Sequence, residues 1–259
     1  MTLDKELANI LWTARWAADH KKNELASDEI TKALRHIGAE KETDRPTVNP
    51  PKVDEPKFYE PTFIVHKGIR FKNQRSKYST ASGTFEGLVV HYTVSGRTPT
   101  AAKNVLAWLA DNNLGCMVMD ENGAIHIPEG FDVFRNWSSH AGTSQWKGRS
   151  SVSQYFAGIE VCCWGLGSKT GPYRTVTTKE GYVVAGKYQA FTEAQERALI
   201  NFILWAKSKN ASFDLDNVVG HDELRREAGK LGDKQDAGGS LSMPMPKYRA
   251  HLKGLVDAK

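Results

Sequence analysis

The sequence predicts an α/β domain, in which helices flank a mixed central β-sheet, together with a small helical unit at the N-terminus. Over residues 62–255, short apolar runs that suit buried strands alternate with longer segments of helical periodicity, which is the pattern of an α/β domain. Two of these runs, GLVV and VV, are followed closely by a histidine. Because strand ends in such sheets border the binding crevice, we expect the functional site at this edge.

Residues 1–40 are predicted to form a helical hairpin. Apolar residues recur at three- and four-residue steps from Leu3 onward, and Ser27 suits the N-cap of a second segment of the same kind. Two short amphipathic helices cannot bury both apolar stripes alone, so we expect the hairpin to contact another element or a partner. Residues 41–61 are rich in proline and charge and are predicted to be a linker to a second domain, residues 62–259.

The elements of the second domain have local sequence signals. Thr98 and Pro99 suit the start of a helix, and Thr192 with Gln195 forms a capping-box pattern at the start of a longer one. The turn sequence DENG predicts that the strands on either side of it form a hairpin. In chain order we predict strands at 63–65, 87–90, 116–119, 124–127, 155–161 and 218–219, and helices from residue 98 and over 192–208.

Composition narrows the class of protein. The 259 residues, 40% of them hydrophobic, supply one sizeable core. The apolar stretches are shorter than the roughly 18 to 20 residues of a membrane-spanning helix, so we expect a soluble protein. Acidic residues stand where a signal peptide would be basic, so we expect synthesis in the cytoplasm without one. Cys116, Cys162 and Cys163 lack the spacing of a disulfide framework and are predicted to be buried thiols.

The net charge of +5 favours anionic partners, and part of it is concentrated between residues 66 and 77. This segment is either a solvated arm or a contact for an anionic cell-wall or membrane surface. We expect no binding to nucleic acid, because no recognition helix or stacking motif accompanies the charge. The cations of this basic segment are Lys67, Arg70, Lys72, Arg75 and Lys77.

Three residues suggest a metal site. His91 ends one apolar strand, His221 follows another and is expected in a loop, and Asp236 comes further along the chain. Two histidines and one carboxylate, with a fourth position open to water, are the composition of a catalytic zinc site. Glu160 lies near the end of a third apolar strand, where a carboxylate is costly to bury unless it is paired or faces a cleft. His126, in AIHIP, is predicted to lie on the strand surface, as is His66.

The order of several motifs carries a family resemblance over about residues 62–255. The motifs are VVHYTVSGRTPTAAKNVLAWLADNNLG, a hairpin, SSHAGTSQWKG, AGIEV, a long helix, VVGH and KQDAGG. Together they resemble the zinc-dependent N-acetylmuramoyl-L-alanine amidases of the type-2 class, which includes phage endolysins and is related to peptidoglycan recognition proteins. The resemblance rests on the order of these motifs together.

The resemblance implies roles for individual residues. Zn²⁺ would be bound by His91, His221 and Asp236, with Asp233 as an alternative third ligand because the interval after His221 is longer than is usual in the family. Asp236 is preferred because a lysine precedes it and a glycine follows at the family's spacing. The resemblance further implies catalytic roles for Glu160 and Lys234 and substrate-binding roles for His140 and Trp146.

The function that the resemblance implies is hydrolysis of the amide bond between N-acetylmuramic acid and the L-alanine of the stem peptide. The substrate would be peptidoglycan, and the simplest biological role a phage endolysin that acts on the cell wall, in the periplasm, after release. The alternatives are a non-catalytic peptidoglycan receptor, a secreted antibacterial amidase and a wall-recycling amidase. The N-terminal hairpin would then be a wall-binding or interaction module.

Overall fold

Six strands form one mixed sheet within residues 59–257, the part of the chain that the computed structural model describes. The helical hairpin predicted for residues 1–40 and most of the predicted linker lie outside these described residues. The ten strands of the described region are β1 (Phe63–His66), β2 (Gly87–Tyr92), β3 (Met117–Met119), β4 (Ile125–Pro128), β5 (Gln145–Trp146), β6 (Arg149–Ser150), β7 (Phe156–Val161), β8 (Tyr173–Val176), β9 (Gly186–Gln189) and β10 (Val218–Gly220).

The strand order in the main sheet is β1-β4-β3-β7-β2-β10. All neighbouring pairs run parallel except β3 and β4, which form the antiparallel hairpin that the DENG turn predicts. Gly123 in this turn has a φ of +85°, a conformation that glycine adopts without steric cost. The prediction of a mixed central sheet is therefore confirmed. The strand pairs β5–β6 and β8–β9 form two small separate sheets.

Four α-helices accompany the sheet in the described region: α1 (Pro99–Asp111), α2 (Glu193–Lys209), α3 (His221–Glu227) and α4 (Met245–Asp257). Thr98 caps α1 by accepting a hydrogen bond from the amide of Ala101, and Thr192 and Gln195 form the predicted capping box of α2. Among these helices, none combines the length and the apolarity needed to cross a membrane.

The helices cover the two faces of the sheet unequally. One face packs against α2 and α4 to form the largest apolar core. On the opposite face, Val118 of β3 packs against α1, and Val89 of β2 packs in a smaller cluster that includes Leu224 of α3. His91 and Glu160 lie on this second face, at the carboxyl ends of β2 and β7, between the cluster at α1 and the cluster at α3. The fold thus places a crevice over the predicted site.

Two predictions about histidines are wrong. His221 begins α3 instead of lying in a loop, because Asp222 and Glu223 follow it and acidic residues stabilise the first turn of a helix. His126 is only 1% exposed, because it lies on the face of the sheet that α1 covers, beside its β3 partner Val118, which packs against α1. Its Nδ1 lies 2.8 Å from Nε2 of His66, and its Nε2 lies 3.2 Å from Asp120. The three cysteines are buried and free, as predicted.

Candidate metal centre

The parallel register of the sheet brings the site residues to one level. His91 on β2 is the direct partner of Glu160 on β7, so the two side chains lie on the same face of the sheet. Gly220, at the end of β10, pairs with Val90. His221 follows Gly220 and therefore lies level with His91. Three strands that are far apart in the sequence thus contribute one residue each, at or just beyond their carboxyl ends.

Asp236 completes a triangle of metal-ligating atoms with the two histidines. Nδ1 of His91 lies 3.1 Å from Nδ1 of His221 and 2.9 Å from Oδ2 of Asp236, and Nδ1 of His221 lies 3.1 Å from the same oxygen. All three residues are buried, and together they could hold a metal ion. Asp233, the alternative ligand, is instead exposed and forms an ion pair with Arg225.

The loop that carries Asp236 is held on both sides. The amide of Asp222 in α3 donates a hydrogen bond of 2.7 Å to the carbonyl of Asp236. After it, Gly238 and Gly239 lie against the ring of Tyr188 on β9, where an added Cβ would come within 2.7 Å and 2.6 Å of ring carbons. The glycines of the DAGG segment therefore allow a close approach of β9, a contact that no local sequence signal predicts.

Burial and mutual contact set the ionisation of this cluster. Burial lowers the pKa of His91, against the opposing effect of its hydrogen bond to Asp236, so the imidazole is held neutral. For Asp236, burial alone would raise the pKa, but hydrogen bonding to His221 and His91 outweighs it and holds the pKa below its usual value. Neutral imidazole and ionised carboxylate are the forms that bind metal ions.

Glu160 lies beside this cluster with an unsatisfied carboxyl group. Its Oε2 is buried and has no hydrogen-bond partner within the described part of the chain. Burial raises the pKa of Glu160 well above its ordinary value, the charge of Asp236 adds to this effect, and Lys234 opposes it. A carboxyl group kept basic in this way is suited to accept a proton.

Lys234 is exposed, and its ammonium charge acts on two members of the site. It lowers the pKa of both His91 and Glu160. A cation at this position also favours any negative charge that develops beside the metal ligands. The structure thus places Lys234 next to the candidate site.

A groove with a volume of about 490 Å³ leads to Glu160. Trp108 on α1 lines one wall and is 57% exposed, an unusual exposure for a side chain of this size. Volumes of this order suit small organic ligands or parts of larger ones. The other lining residues are Thr93, Ser95, Ala101, Asn104, Val105 and Leu109.

The two residues predicted to bind substrate have other contacts. His140 lies behind His91, with its Nδ1 3.2 Å from Nε2 of His91, and burial lowers the pKa of His140 to about 3. Trp146 donates from its indole nitrogen to Asn217 at 3.2 Å, and its ring lies under the guanidinium of Arg249. Their substrate-binding roles remain predictions.

A buried three-ligand metal site with an adjacent basic carboxyl group, at the carboxyl ends of parallel strands, is typical of hydrolytic metalloenzymes. The comparison with protein families identifies the class further. Residues 81–239, more than half of the chain, match the family described as N-acetylmuramoyl-L-alanine amidase, and the chain belongs to this family. Among proteins with curated descriptions, none matches the sequence significantly.

Several solved structures are similar to this chain. The N-acetylmuramyl-L-alanine amidase AmiD from E. coli, in complex with its substrate anhydro-N-acetylmuramic acid-L-Ala-D-gamma-Glu-L-Lys, is 21% identical, with 65% of this chain and 57% of that chain covered and a TM-score of 0.42. AMPDH3 from Pseudomonas aeruginosa is 18% identical, with 69% and 64% covered and a TM-score of 0.41. Human PGRP-IBETAC is 14% identical, with 70% and 92% covered and a TM-score of 0.38. The chain spans less than two thirds of the first two structures.

Proposed function

We propose that this chain is a zinc-dependent peptidoglycan hydrolase that cleaves the amide bond between N-acetylmuramic acid and the L-alanine of the stem peptide. The observation that carries the proposal is the convergence of His91, His221 and Asp236 on one point beside Glu160, whose Oε2 has no hydrogen-bond partner among residues 59–257. Membership of the amidase family supports the choice of bond. Peptidoglycan, or a muropeptide released from it, is the proposed substrate.

The geometry of the three ligand atoms fits zinc. Tetrahedral zinc with nitrogen and oxygen ligands at about 2.0–2.2 Å holds neighbouring ligand atoms roughly 3.3–3.5 Å apart. The observed separations of 2.9 and 3.1 Å are shorter than these values by about 0.2–0.6 Å. His91, His221 and Asp236 would hold the ion, and two imidazoles with one carboxylate are a donor set that catalytic zinc sites use.

The residues of this chain divide the chemistry among them. When bound, zinc supplies Lewis-acid polarisation of the scissile carbonyl and makes water more acidic. Glu160 accepts a proton from the attacking water while the water oxygen bonds to the carbonyl carbon. The carbon–nitrogen bond then breaks, and Glu160 returns the proton to the leaving nitrogen. The products are the lactyl carboxylate of the sugar and the free amino group of L-alanine.

Lys234 has a separate role in the proposal, because its ammonium group stabilises the negative charge that develops on the carbonyl oxygen. Lys234→Met keeps most of the side-chain length and removes the charge. We expect kcat to fall on the order of 10²-fold, the cost typical of losing one oxyanion-stabilising group, with zinc content unchanged. Parallel measurement of kcat and bound zinc checks this. Lys230→Met, in the same exposed loop region, is the matched control and should keep wild-type kcat. Equal kcat for Lys234→Met and the wild type would remove Lys234 from the mechanism.

Mass analysis of the digestion products tests which bond of peptidoglycan the protein cleaves. Purified peptidoglycan incubated with the protein is expected to release free stem peptides beginning with L-alanine, and a chelator is expected to stop the release. Added zinc should restore it. New reducing sugar ends would identify a glycosidase instead and contradict the proposal.

The biological role that we propose is that of a phage endolysin acting on the cell wall after release. A non-catalytic peptidoglycan receptor is the second candidate function, but Glu160 and a full set of three ligands favour an enzyme. Activity is measured on intact sacculi and on a small anhydromuramyl peptide, because the two substrates distinguish a lytic enzyme from a recycling enzyme. A lytic enzyme is expected to solubilise sacculi, whereas activity on the small peptide alone would contradict this role.

A further inference from the structure

Both metal histidines turn the same ring nitrogen towards the centre, and this requires a particular position of the ring proton. Nδ1 of His91 and Nδ1 of His221 face the ligand triangle. To bind a metal, each Nδ1 must give up its hydrogen bond to Asp236 and present its lone pair, so in the metal-bound form the proton of each neutral ring must be on Nε2. The groups that accept hydrogen bonds from these two Nε2–H groups therefore determine whether both rings are oriented to bind the metal.

Two consecutive residues provide these acceptors. Nε2 of His221 lies 3.2 Å from the carbonyl oxygen of Ala141, which can only accept. Nε2 of His91 lies 3.2 Å from Nδ1 of His140. The other nitrogen of His140, Nε2, lies 3.0 Å from the carbonyl oxygen of Phe156. That carbonyl can only accept, so His140 carries its proton on Nε2 and its Nδ1 is free to accept from His91.

We propose that His140 and Ala141 act as one orienting segment that fixes the proton position and the ring orientation of both metal histidines. The inference deepens the proposed function and rests on it for the identity of the metal. In this arrangement His140 is a positioning residue, which acts through His91 and not by contact with substrate. The outer partners of metal-binding histidines commonly act in this way, and here one short segment serves both of them.

The structure holds this segment in place from two sides. The hydroxyl oxygen of Ser153 accepts hydrogen bonds from the amides of both His140, at 3.2 Å, and Ala141, at 3.0 Å. On β7, Gly158 leaves room for the imidazole, because an added Cβ would lie only 2.7 Å from Cγ and Nδ1 of His140. The segment is therefore tied to the chain that leads into the strand carrying Glu160.

Two substitutions at His140 test the acceptor. His140→Leu removes the acceptor and is expected to weaken zinc binding about 10- to 100-fold, the usual cost of losing such an outer partner. His140→Asn places its side-chain oxygen near the original Nδ1 position and is expected to recover most of that loss. The dissociation constant for zinc is measured by competition with a chromogenic chelator, and urea unfolding of the metal-free proteins checks that each variant folds. Equal affinities for His140→Leu and the wild type, or no recovery with His140→Asn, would overturn the proposal.

A pair of serine substitutions tests the segment without touching a histidine. Ser153→Ala removes the acceptor of both amides and is expected to weaken zinc binding several-fold. Ser144→Ala is the matched control, because Ser144 is also buried and its hydroxyl accepts an amide hydrogen bond in the same region, from Val152 at 3.1 Å. The control should keep wild-type affinity. Equal effects of the two substitutions would mean a general loss of loop structure and would overturn the role of Ser153.

The wild-type measurement separates this inference from the proposed function. If the wild-type protein binds no zinc, the proposed function fails, and the orienting role fails with it. If the wild-type protein binds zinc tightly and the His140 and Ser153 variants bind it equally well, only the orienting role is wrong.

Discussion

Asp236→Ala is expected to weaken zinc binding by more than about 100-fold, which exceeds the usual cost of losing an outer partner. The substitution removes one of three ligand atoms and leaves His91 and His221 as the only protein donors of the triangle. Two neutral imidazoles also lack the negative charge that the carboxylate contributes to binding a dication. Zinc content after dialysis against a weak chelator, measured by elemental analysis, checks the result, and hydrolysis of peptidoglycan should be lost in parallel.

Asp233→Ala is the matched control for this prediction. Asp233 lies in the same loop and has the same side chain, but its carboxylate is exposed and paired with Arg225. Because the Asp233 carboxylate is about half exposed, solvent screens this ion pair, and its loss is expected to cost little stability, about 0–1 kcal/mol. We therefore expect full zinc content and near wild-type hydrolysis. The reverse result, with zinc lost in Asp233→Ala and kept in Asp236→Ala, would show that the described geometry of the centre is wrong.

Glu160→Gln is expected to reduce the rate of hydrolysis by about 10²- to 10⁴-fold, the range for loss of a general acid–base group, while zinc binding is kept. An amide has nearly the shape of the carboxyl group but cannot accept the proton of the attacking water. The rate is measured by release of free stem peptides, and bound zinc is measured on the same samples. Glu86→Gln is the control, because Glu86 pairs with Arg149 and lies just before the start of β2, at the opposite end of that strand from His91.

Glu160→Gln is also expected to raise the stability of the metal-free protein. Burial raises the folded-state pKa of Glu160 above the ordinary value of 4.5. The unfolded chain therefore releases the proton at lower pH than the folded chain, and wild-type stability falls as pH rises through this window. Glu160→Gln does not titrate, so its advantage in Tm over the wild type should be small near about pH 4 and larger near about pH 7.5. An advantage that shrinks with rising pH would contradict the assigned burial of this carboxyl.

Local sequence signals were sufficient for most helices and strands of the described region. Thr98 and Thr192 mark the starts of α1 and α2, since their hydroxyl groups accept hydrogen bonds from free amides of the first turn. The turn at Gly123 produces the β3–β4 hairpin, because glycine takes the positive φ that the turn needs. These interactions span only a few residues, so they can be read from a short stretch of chain.

The burial and contacts of the histidines cannot be predicted from neighbouring residues in the sequence. Alternation within AIHIP is compatible with an exposed or a buried His126, and only the packing of α1 over that face of β3 and β4 decides that it is buried. The contact between His140 and His91 likewise joins residues 49 positions apart. A sequence motif identifies such a residue, but the surrounding strands determine which atom it faces.

The residue types at the centre can be read from the motifs: two imidazoles, a carboxylate, a glutamate at a strand end and a nearby lysine. Their geometry depends on how the strands and loops pack. The parallel register places Glu160 beside His91, and the loop after α3 brings Asp236 to the two imidazoles while Asp233 pairs with Arg225. The physical reason is that residue type and local backbone preference are carried by the chain itself. The convergence of three ligand atoms to about 3 Å requires strands and loops that only packing brings together.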